Sequence, residues 1–488
     1  MIATQPIRDD SSECPVLVVD LDGTLIKSDM LEESANDYLA TNPFRALILL
    51  ALLASGRSNL KAKLAQTTRV DVASLPYNEA LVDWLKAQKS LGRTLVLATA
   101  SHKLLAEHVA GHLGLFDEVF ATENQVNLKA ERKRDALVKR YGERGFDYVG
   151  DSRADLPVWR SAAKAYVVSN SPGLVAEVRT SGNLAETFGT GRKAWPAAMI
   201  KALRLHQWMK NLLVFIPMFA AHIFTNIFTM EKAFLAFFAF GLTASSVYLL
   251  NDLVDVTDDR HHVRKKNRPF ASGNLSLLTG WLAWPSLLLV AFAIAYAFLP
   301  IKFVEVLAAY FAVTLTYSFR LKQVPVLDVL TLAVLYTMRI IAGAAAVSVP
   351  LSFWLLTFSM FVFLSLAFIK RFSELKAARS KGAGGQIRGR GYSPDDLEMI
   401  SSLGGSAGYL AVLVLALYIQ DANTAHLYQM PKLIWLACPI LLFWISRVWL
   451  IAHRGQMHDD PIIFAIKDRV SLATGALFVA IFALATVL

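Results

Sequence analysis

Two unlike halves are predicted for this 488-residue chain. Residues 14–190 read as an α/β doubly wound domain with a small helical cap at about 28–80, and residues 204–488 as an all-α membrane domain of about nine transmembrane helices. Three observations carry this. Hydropathy changes near residue 200, from short apolar runs alternating with charged stretches to apolar segments of spanning length. Three β-rich runs of the first half end in Asp, Thr or Ser, the signature of strands that present polar groups at one sheet edge. In the second half, basic residues crowd into alternate loops. With 55% apolar and 18% charged residues and a mean hydropathy of +0.42, the chain is neither disordered nor wholly water-soluble. Residues 1–13 read as a tail and 191–203 as a linker.

The membrane half is read from segment length. Nine candidate spans fall at 210–228, 233–250, 278–299, 302–319, 326–347, 351–369, 402–420, 432–451 and 470–488, each near the ~20 residues that cross a ~30 Å hydrocarbon core. The loops after the second and fourth spans hold Arg260, Arg264, Lys265, Lys266 and Arg268, then Arg320 and Lys322. Those after the sixth and eighth hold Lys370, Arg371, Lys376, Arg379, Lys381, Arg388 and Arg390, then Arg454, Lys467 and Arg469. The intervening loops hold Lys232, Lys302 and Lys432. The positive-inside rule places the first set and the N-terminal domain in the cytoplasm, and nine spans leave the C-terminus outside. The net charge of +10 thus belongs to a membrane surface and to anionic substrates, and no nucleic acid is expected. The polar N-terminus has no apolar core, so no cleavable signal peptide is expected. Residues 44–55 are too short to span and read as a buried helix, with membrane docking as the alternative. Two cysteines, Cys14 and Cys438, exclude a disulfide framework, and His261-His262 lacks zinc-ligand spacing.

The soluble half carries a coherent chemistry. The strand PVLVVD (15–20) runs into Leu21-Asp22-Gly23-Thr24, a second strand ends in Thr99-Ala100-Ser101, and a third ends in Gly150-Asp151-Ser152-Arg153-Ala154-Asp155. Lys129 and Lys133 lie four apart on a helix between them. One strand-end Asp alone would be a turn or a cap; the ordered set suits phosphoryl transfer. Asp20 can attack phosphorus, and Asp22 can pass a proton to the leaving group and then activate water. Asp151, with Asp155 as a candidate partner, can hold Mg²⁺ together with Asp20 and the carbonyl of Asp22, while Thr99 and one lysine bind phosphoryl oxygens. DLDGT, the hydrophobic-Thr strand end, Lys and GDSxxD resemble the haloacid dehalogenase-like (HAD-like) hydrolases, mostly phosphatases. The resemblance implies Asp20 as nucleophile, Asp22 as acid/base, Thr99 as phosphate ligand and Asp151 as metal ligand. Lys133, which opens the KRDAL helix, is preferred as the third-motif lysine.

The second span ends in SSVYLLNDLVDVTDDR. Asp252, Asp255 and Asp259 stand at i, i+3 and i+7, within about 60° on one helical face, and acids at a span end point to function. With Lys265, Lys266 and Arg268 following, they suit a Mg²⁺-bridged diphosphate whose outer oxygens are held by bases. Led by Asn251, the pattern NDxxDxxxD with nine spans resembles the UbiA superfamily of intramembrane prenyltransferases. Most members carry a second acidic motif, and this chain departs from that. From Val324 it reads VPVLDVLTLAVLYTMRIIAGAAA, with Asp328 alone and Tyr336 and Arg339 deeper. A basic residue in that position suits an anionic second substrate.

RLHQWMKNLLVFIP (204–217), YSFRLKQVPVLDVL (317–330), VPLSFWLL (349–356), Lys370-Arg371 through Glu374, Arg390-Gly391-Tyr392-Ser393 and Asp468-Arg469 resemble one branch, the decaprenyl-phosphate phosphoribosyltransferases. That resemblance implies transfer of 5-phosphoribose from phosphoribosyl diphosphate to a polyprenyl phosphate, on Mg²⁺ held by Asp252, Asp255 and Asp259. Arg204, Lys266 and Arg268 are candidates for the donor's phosphates; Lys210, Arg339 and Lys370 are candidates for the acceptor's head group. Lys210 and Lys370 have membrane-edge anchoring as their simpler role. Fusion to a phosphatase then suggests removal of the 5-phosphate, giving a polyprenylphosphoryl ribose for envelope glycans in a cell inner membrane. The alternatives are a prenyltransferase using a prenyl diphosphate and an aromatic or lipid acceptor, and a non-catalytic transporter or lipid carrier. Self-association into a homo-oligomer is left open.

Overall fold

The structure, a computed structural model, describes residues 15–42, 45, 48, 49, 51, 57–123, 128–380, 391–420, 428–457 and 460–487. Most of the 44–55 stretch and residues 381–390 lie outside them. The chain forms two compact units: Met1–Leu203 with Leu249–Ala283, and Arg204–Tyr248 with Trp284–Leu488.

The first unit is built on six parallel strands, β1 (Val16–Val19), β2 (Leu95–His102), β3 (Glu118–Thr122), β4 (Phe146–Gly150), β5 (Ala165–Val168) and β6 (Leu184–Phe188), in the order β3-β2-β1-β4-β5-β6. Alternation along β1 decides its burial. Leu17 and Val19 enter one core with Leu95 and Leu97, and Val18 enters the opposite core with Val96, Tyr148 and Trp159. A parallel strand apolar on both sides is what a sheet covered on both faces requires. Order reverses at β1, and ligands of such sheets bind beyond the strand C-termini at that point; Asp20 follows β1 and Asp151 follows β4.

The helices of this part are α1 (Met30–Thr41), α2 (Arg57–Thr67), α3 (Glu79–Ser90), α4 (Lys103–Leu113), α5 (Glu131–Tyr141), α6 (Leu156–Ser161), α7 (Pro172–Arg179) and α8 (Trp195–Leu203). The described part of the expected cap is helical: α1, α2 and a 3₁₀ turn, Val72–Ser74. Asp29 caps α1 by accepting from the N–H groups of Leu31 and Glu32.

The membrane half contributes α9 (Ile216–Ala220), α10 (Ile227–Val254), α11 (Val256–His261), α12 (Leu277–Phe298), α13 (Ile301–Phe319), α14 (Leu327–Val347), α15 (Phe353–Arg379), α16 (Leu397–Gln420), α17 (Ala437–His453), α18 (Pro461–Lys467) and α19 (Arg469–Val487). Among the described residues, eight helices are long and apolar enough to cross a membrane, close to the nine expected. The difference is the first segment, 210–228. It is a 3₁₀ run, Leu205–Phe215, joined to the five-residue α9, and Pro217 has no N–H to continue a regular ladder. Three spanning helices, α12, α13 and α19, bury only 17% of their apolar windows, exposing Leu289, Val290 and Tyr296 among others. Contiguous apolar surface of that extent needs lipid. Where helices meet, small residues let them approach: a Cβ on Gly404 would lie 2.3 Å from Trp449.

Candidate active sites

The first candidate site grows from the strand ends. Asp20 is pinned beside β4 by its own N–H, which donates to the Val149 carbonyl at 3.0 Å. Its carboxylate accepts from Lys133 Nζ at 2.8 Å, and the same ammonium donates to the Tyr148 hydroxyl at 2.9 Å. Lys129 is exposed, so Lys133 is the lysine at Asp20. Asp22 is held on both oxygens: Met30 N–H donates to Oδ1 at 2.8 Å, and Ser101 Oγ and Thr99 Oγ1 donate to Oδ2 at 2.7 and 3.3 Å. Thr99, fully buried, also accepts from Ser101 N–H.

Oxygens of Asp20, Asp151 and Asp155 lie within 4.8 Å of one another. Asp155 accepts from the N–H groups of Asp151 and Ser152 and from the Tyr148 hydroxyl. Gly23, at φ +77°, lets the loop close on this cluster, since a Cβ there would stand 2.2 Å from Asp151 Oδ2. Packing carboxyls this closely out of water disfavours their charge. Burial, with Asp29 adding to it, pushes Asp22 up to about 6. Burial and the neighbouring Asp155 push Asp151 up to about 7, and burial raises Asp20 against the pull of Lys133. Three crowded acids at a sheet edge fit a divalent cation, which would relieve both burial and repulsion. A shallow cleft is lined by Met30 and Ser101, which both bond Asp22, together with Leu31, Lys61, Leu64 and His102 among others.

The acidic helix end belongs to the same unit. Arg268 Nη1 lies 3.1 Å from Asp252 and 2.5 Å from Asp259, and Lys265 lies 3.7 Å from Asp259. Asn251 Nδ2 donates to Asp255 at 2.9 Å, and Lys266 is exposed. Burial raises Asp259 although Arg268 opposes it, and its buried Oδ1 carries no hydrogen bond. A buried carboxylate oxygen with Lys265 near it but no hydrogen bond fits a cation.

In the second unit, Lys210 Nζ donates to Asp460 at 2.8 Å and Lys370 lies 3.4 Å from the same carboxylate. Burial opposes its charge, yet Lys370 and Lys210 together hold Asp460 well below the usual carboxylate range. Tyr336 stacks on Phe363 and lies under Lys210 and Arg339. Arg339 spends its donors on Asn211 Oδ1, the Leu335 carbonyl and the Tyr310 hydroxyl. Arg204, itself at φ +51°, lies over the Tyr248 ring. The lone Asp328 is fully buried, 2.5 Å from Arg371 Nη2 and accepting from the Tyr392 hydroxyl at 2.6 Å. Sequence reasoning gave no site role to Asp460, Ser101, Tyr148 or Arg371; Ser101 stood at a strand end and Arg371 among the basic residues of a loop, whereas Asp460 had no mark at all.

Residues 212–466 match the UbiA prenyltransferase family and residues 17–160 the haloacid dehalogenase-like hydrolases. The chain is 37% identical over 471 residues to the uncharacterized protein y4nM of Sinorhizobium fredii, covering 96% of this chain and 90% of the relative. It is 38% identical over 289 residues to the nodulation protein NoeC of Azorhizobium caulinodans, covering 57% of this chain and 92% of the relative. It is 33% identical over 283 residues to the decaprenyl-phosphate phosphoribosyltransferase of Mycolicibacterium smegmatis, covering 56% of this chain and 87% of the relative. With an apolar helical half that matches through residue 466 and a parallel sheet that carries the aspartate site ahead of it, the chain belongs to the UbiA prenyltransferase family and joins to it a haloacid dehalogenase-like hydrolase domain.

Proposed function

We propose that the chain is a Mg²⁺-dependent polyprenyl-phosphate phosphoribosyltransferase with a fused phosphatase, working in a cell inner membrane with both active sites on the cytoplasmic side. The observation that carries this reading is the state of Asp328. Neutralised by Arg371 and bonded to Tyr392, it supports a transferase without a second acidic metal site, which favours a phosphoribosyl donor over an allylic diphosphate. Similarity to relatives named decaprenyl-phosphate phosphoribosyltransferase supports the same choice.

In the transfer step an oxygen of the lipid phosphate replaces diphosphate at C1 of the ribose; Asp252, Asp255 and Asp259 would hold Mg²⁺, which when bound would supply positive charge to the departing diphosphate. Arg268 and Lys266 bind outer phosphate oxygens. Lys210 and Lys370 bind the phosphate of the acceptor lipid in exchange for Asp460. Arg339 holds Asn211 and Tyr310 in place, and Tyr336 closes the apolar side. In the second step Asp20 attacks the 5-phosphate of the lipid-linked ribose while Asp22 protonates the departing ribose oxygen, and Asp22 then takes a proton from the water that hydrolyses the aspartyl-phosphate. Lys133 and Thr99 hold the phosphoryl group and the ionised Asp20. Asp20, Asp151 and the carbonyl of Asp22 would hold Mg²⁺ there, with Asp155 orienting Asp151.

Purified protein with Mg²⁺ and ribose-labelled phosphoribosyl diphosphate should form an organic-soluble product only when polyprenyl phosphate is added. That product should keep its 5-phosphate in Asp20→Asn and lose it in the wild type. No labelled lipid under any condition would instead favour a prenyl diphosphate donor with an aromatic or lipid acceptor.

A further inference from the structure

Helix α1 has two sets of partners within its compact unit. At its first residue, Met30 N–H donates to Asp22 Oδ1 at 2.8 Å, so the start of the helix orients the carboxyl assigned as acid/base. One and two turns on, the same helix is held by residues 253–281 of the transferase half. Glu33 accepts from both terminal nitrogens of Arg260, at 3.0 and 2.6 Å, with the two side chains 4% and 6% exposed. Asn36 is fixed at both ends: Nδ2 donates to the Leu253 carbonyl and Oδ1 accepts from the Trp281 indole, each at 3.0 Å. Glu32 accepts from Leu278 N–H at 3.3 Å.

Met30, Glu33 and Asn36 stand at i, i+3 and i+6, and so share one face of the helix. The surrounding contacts keep the pieces in register. His261 bonds Asp71 at 2.8 Å, and Lys193 N–H donates to Asn274. Gly273, at φ +70°, lies so near Lys27 and Pro76 that a Cβ would come within 2.7 Å of Lys27 Cβ. A buried ion pair offers little net stability over apolar packing, but it fixes geometry, because each partner is costly to leave alone. Leu253 sits between Asp252 and Asp255, and Arg260 follows Asp259. The clamp is therefore made by the acidic motif of the transferase itself.

We propose that Glu33, Asn36 and Arg260 are positioning residues for Asp22: the transferase's acidic segment clamps α1, and α1 presents its first N–H to the phosphatase acid/base. The proposal rests on the phosphatase reading of Asp20 and Asp22. When an Asp20 oxygen bonds to phosphorus and the P–O bond to an alcohol breaks, the departing oxygen needs the proton of Asp22. A p-nitrophenolate leaves without it. Misplacing Asp22 must therefore slow attack on alkyl phosphates far more than attack on aryl phosphates, whereas general damage to the domain slows both alike.

The test compares kcat/KM for ribose 5-phosphate and for p-nitrophenyl phosphate, which covers the steps through formation of the aspartyl-phosphate. It uses full-length wild type, Glu33→Gln, Arg260→Gln and, as an uncharged second probe, Asn36→Leu. We expect the ribose 5-phosphate value to fall by about tenfold or more, a fraction of what a general acid supplies, and the p-nitrophenyl phosphate value to stay within about twofold. Variants that lose both substrates equally, or neither, overturn the positioning role. A wild type that hydrolyses neither substrate overturns the phosphatase reading and the positioning role with it.

Discussion

Asp22 and Asp151 illustrate what burial does to carboxyls crowded at one edge of a sheet. Their values rise from 3.8 to about 6 and about 7, so the native chain binds these protons more tightly than the unfolded chain does. Between about pH 4 and pH 7 the folded state therefore holds more protons than the unfolded state, and stability falls as pH rises through that window. A divalent cation bound to the ionised acids opposes the loss by mass action. Melting of the full-length protein with and without Mg²⁺ should show the largest gap at pH 7 and above, and the gap should shrink toward pH 5. A gap independent of pH would count against a cation at Asp20 and Asp151. Lys133 belongs to the same scale. The sequence offered two lysines four apart, and the choice depended on which one a folded helix carries to within 2.8 Å of Asp20.

At the scale of elements, two pairings decide what the helices are for. The order β3-β2-β1-β4-β5-β6 brings the ends of β1 and β4 together, and those two strands were legible because each is a short apolar run closed by a polar turn. The pairing of α14 with α15 was not legible. Asp328 and Arg371 lie 43 positions apart, and both looked like ordinary span-end polar residues until the fold buried them together. Removing one partner of such a pair typically costs about 3–5 kcal/mol, whereas replacing both with apolar residues is often neutral. Asp328→Asn should thus lower the melting temperature without changing the Mg²⁺ concentration that half-saturates transfer, and the double change Asp328→Leu with Arg371→Leu should recover most of the stability. A shift in Mg²⁺ requirement with Asp328→Asn would instead return Asp328 to the metal.

Across the whole molecule, the consequence of fusion is one of concentration. An intermediate released by one site of a chain meets the second site of the same chain at an effective concentration that a separate enzyme must match by abundance. On the proposed reading Asp20→Asn should retain transfer and Asp252→Ala dephosphorylation, and the two can be reconstituted together at the same total protein as wild type. The mixture should accumulate the 5-phosphorylated lipid before clearing it, while the wild type should show little of it at any time. Equal time courses would mean that the two sites work independently.

The sequence by itself determined the change in hydropathy near residue 200, the strands that carry or precede Asp20, Thr99 and Asp151, the acidic run Asp252–Asp259, and nearly all of the spanning segments. Each of these is written in local periodicity, run length or spacing, which a chain displays without folding. Only the tertiary structure decided that Lys133 rather than Lys129 meets Asp20, and that Asp460 neutralises Lys210 across 250 positions of sequence. It also decided that Glu33 of the cap buries a charge against Arg260, 227 positions away. Those partners are chosen by packing, since a buried charge is tolerated only where the fold delivers its counter-charge, and no local pattern records which distant residue that will be.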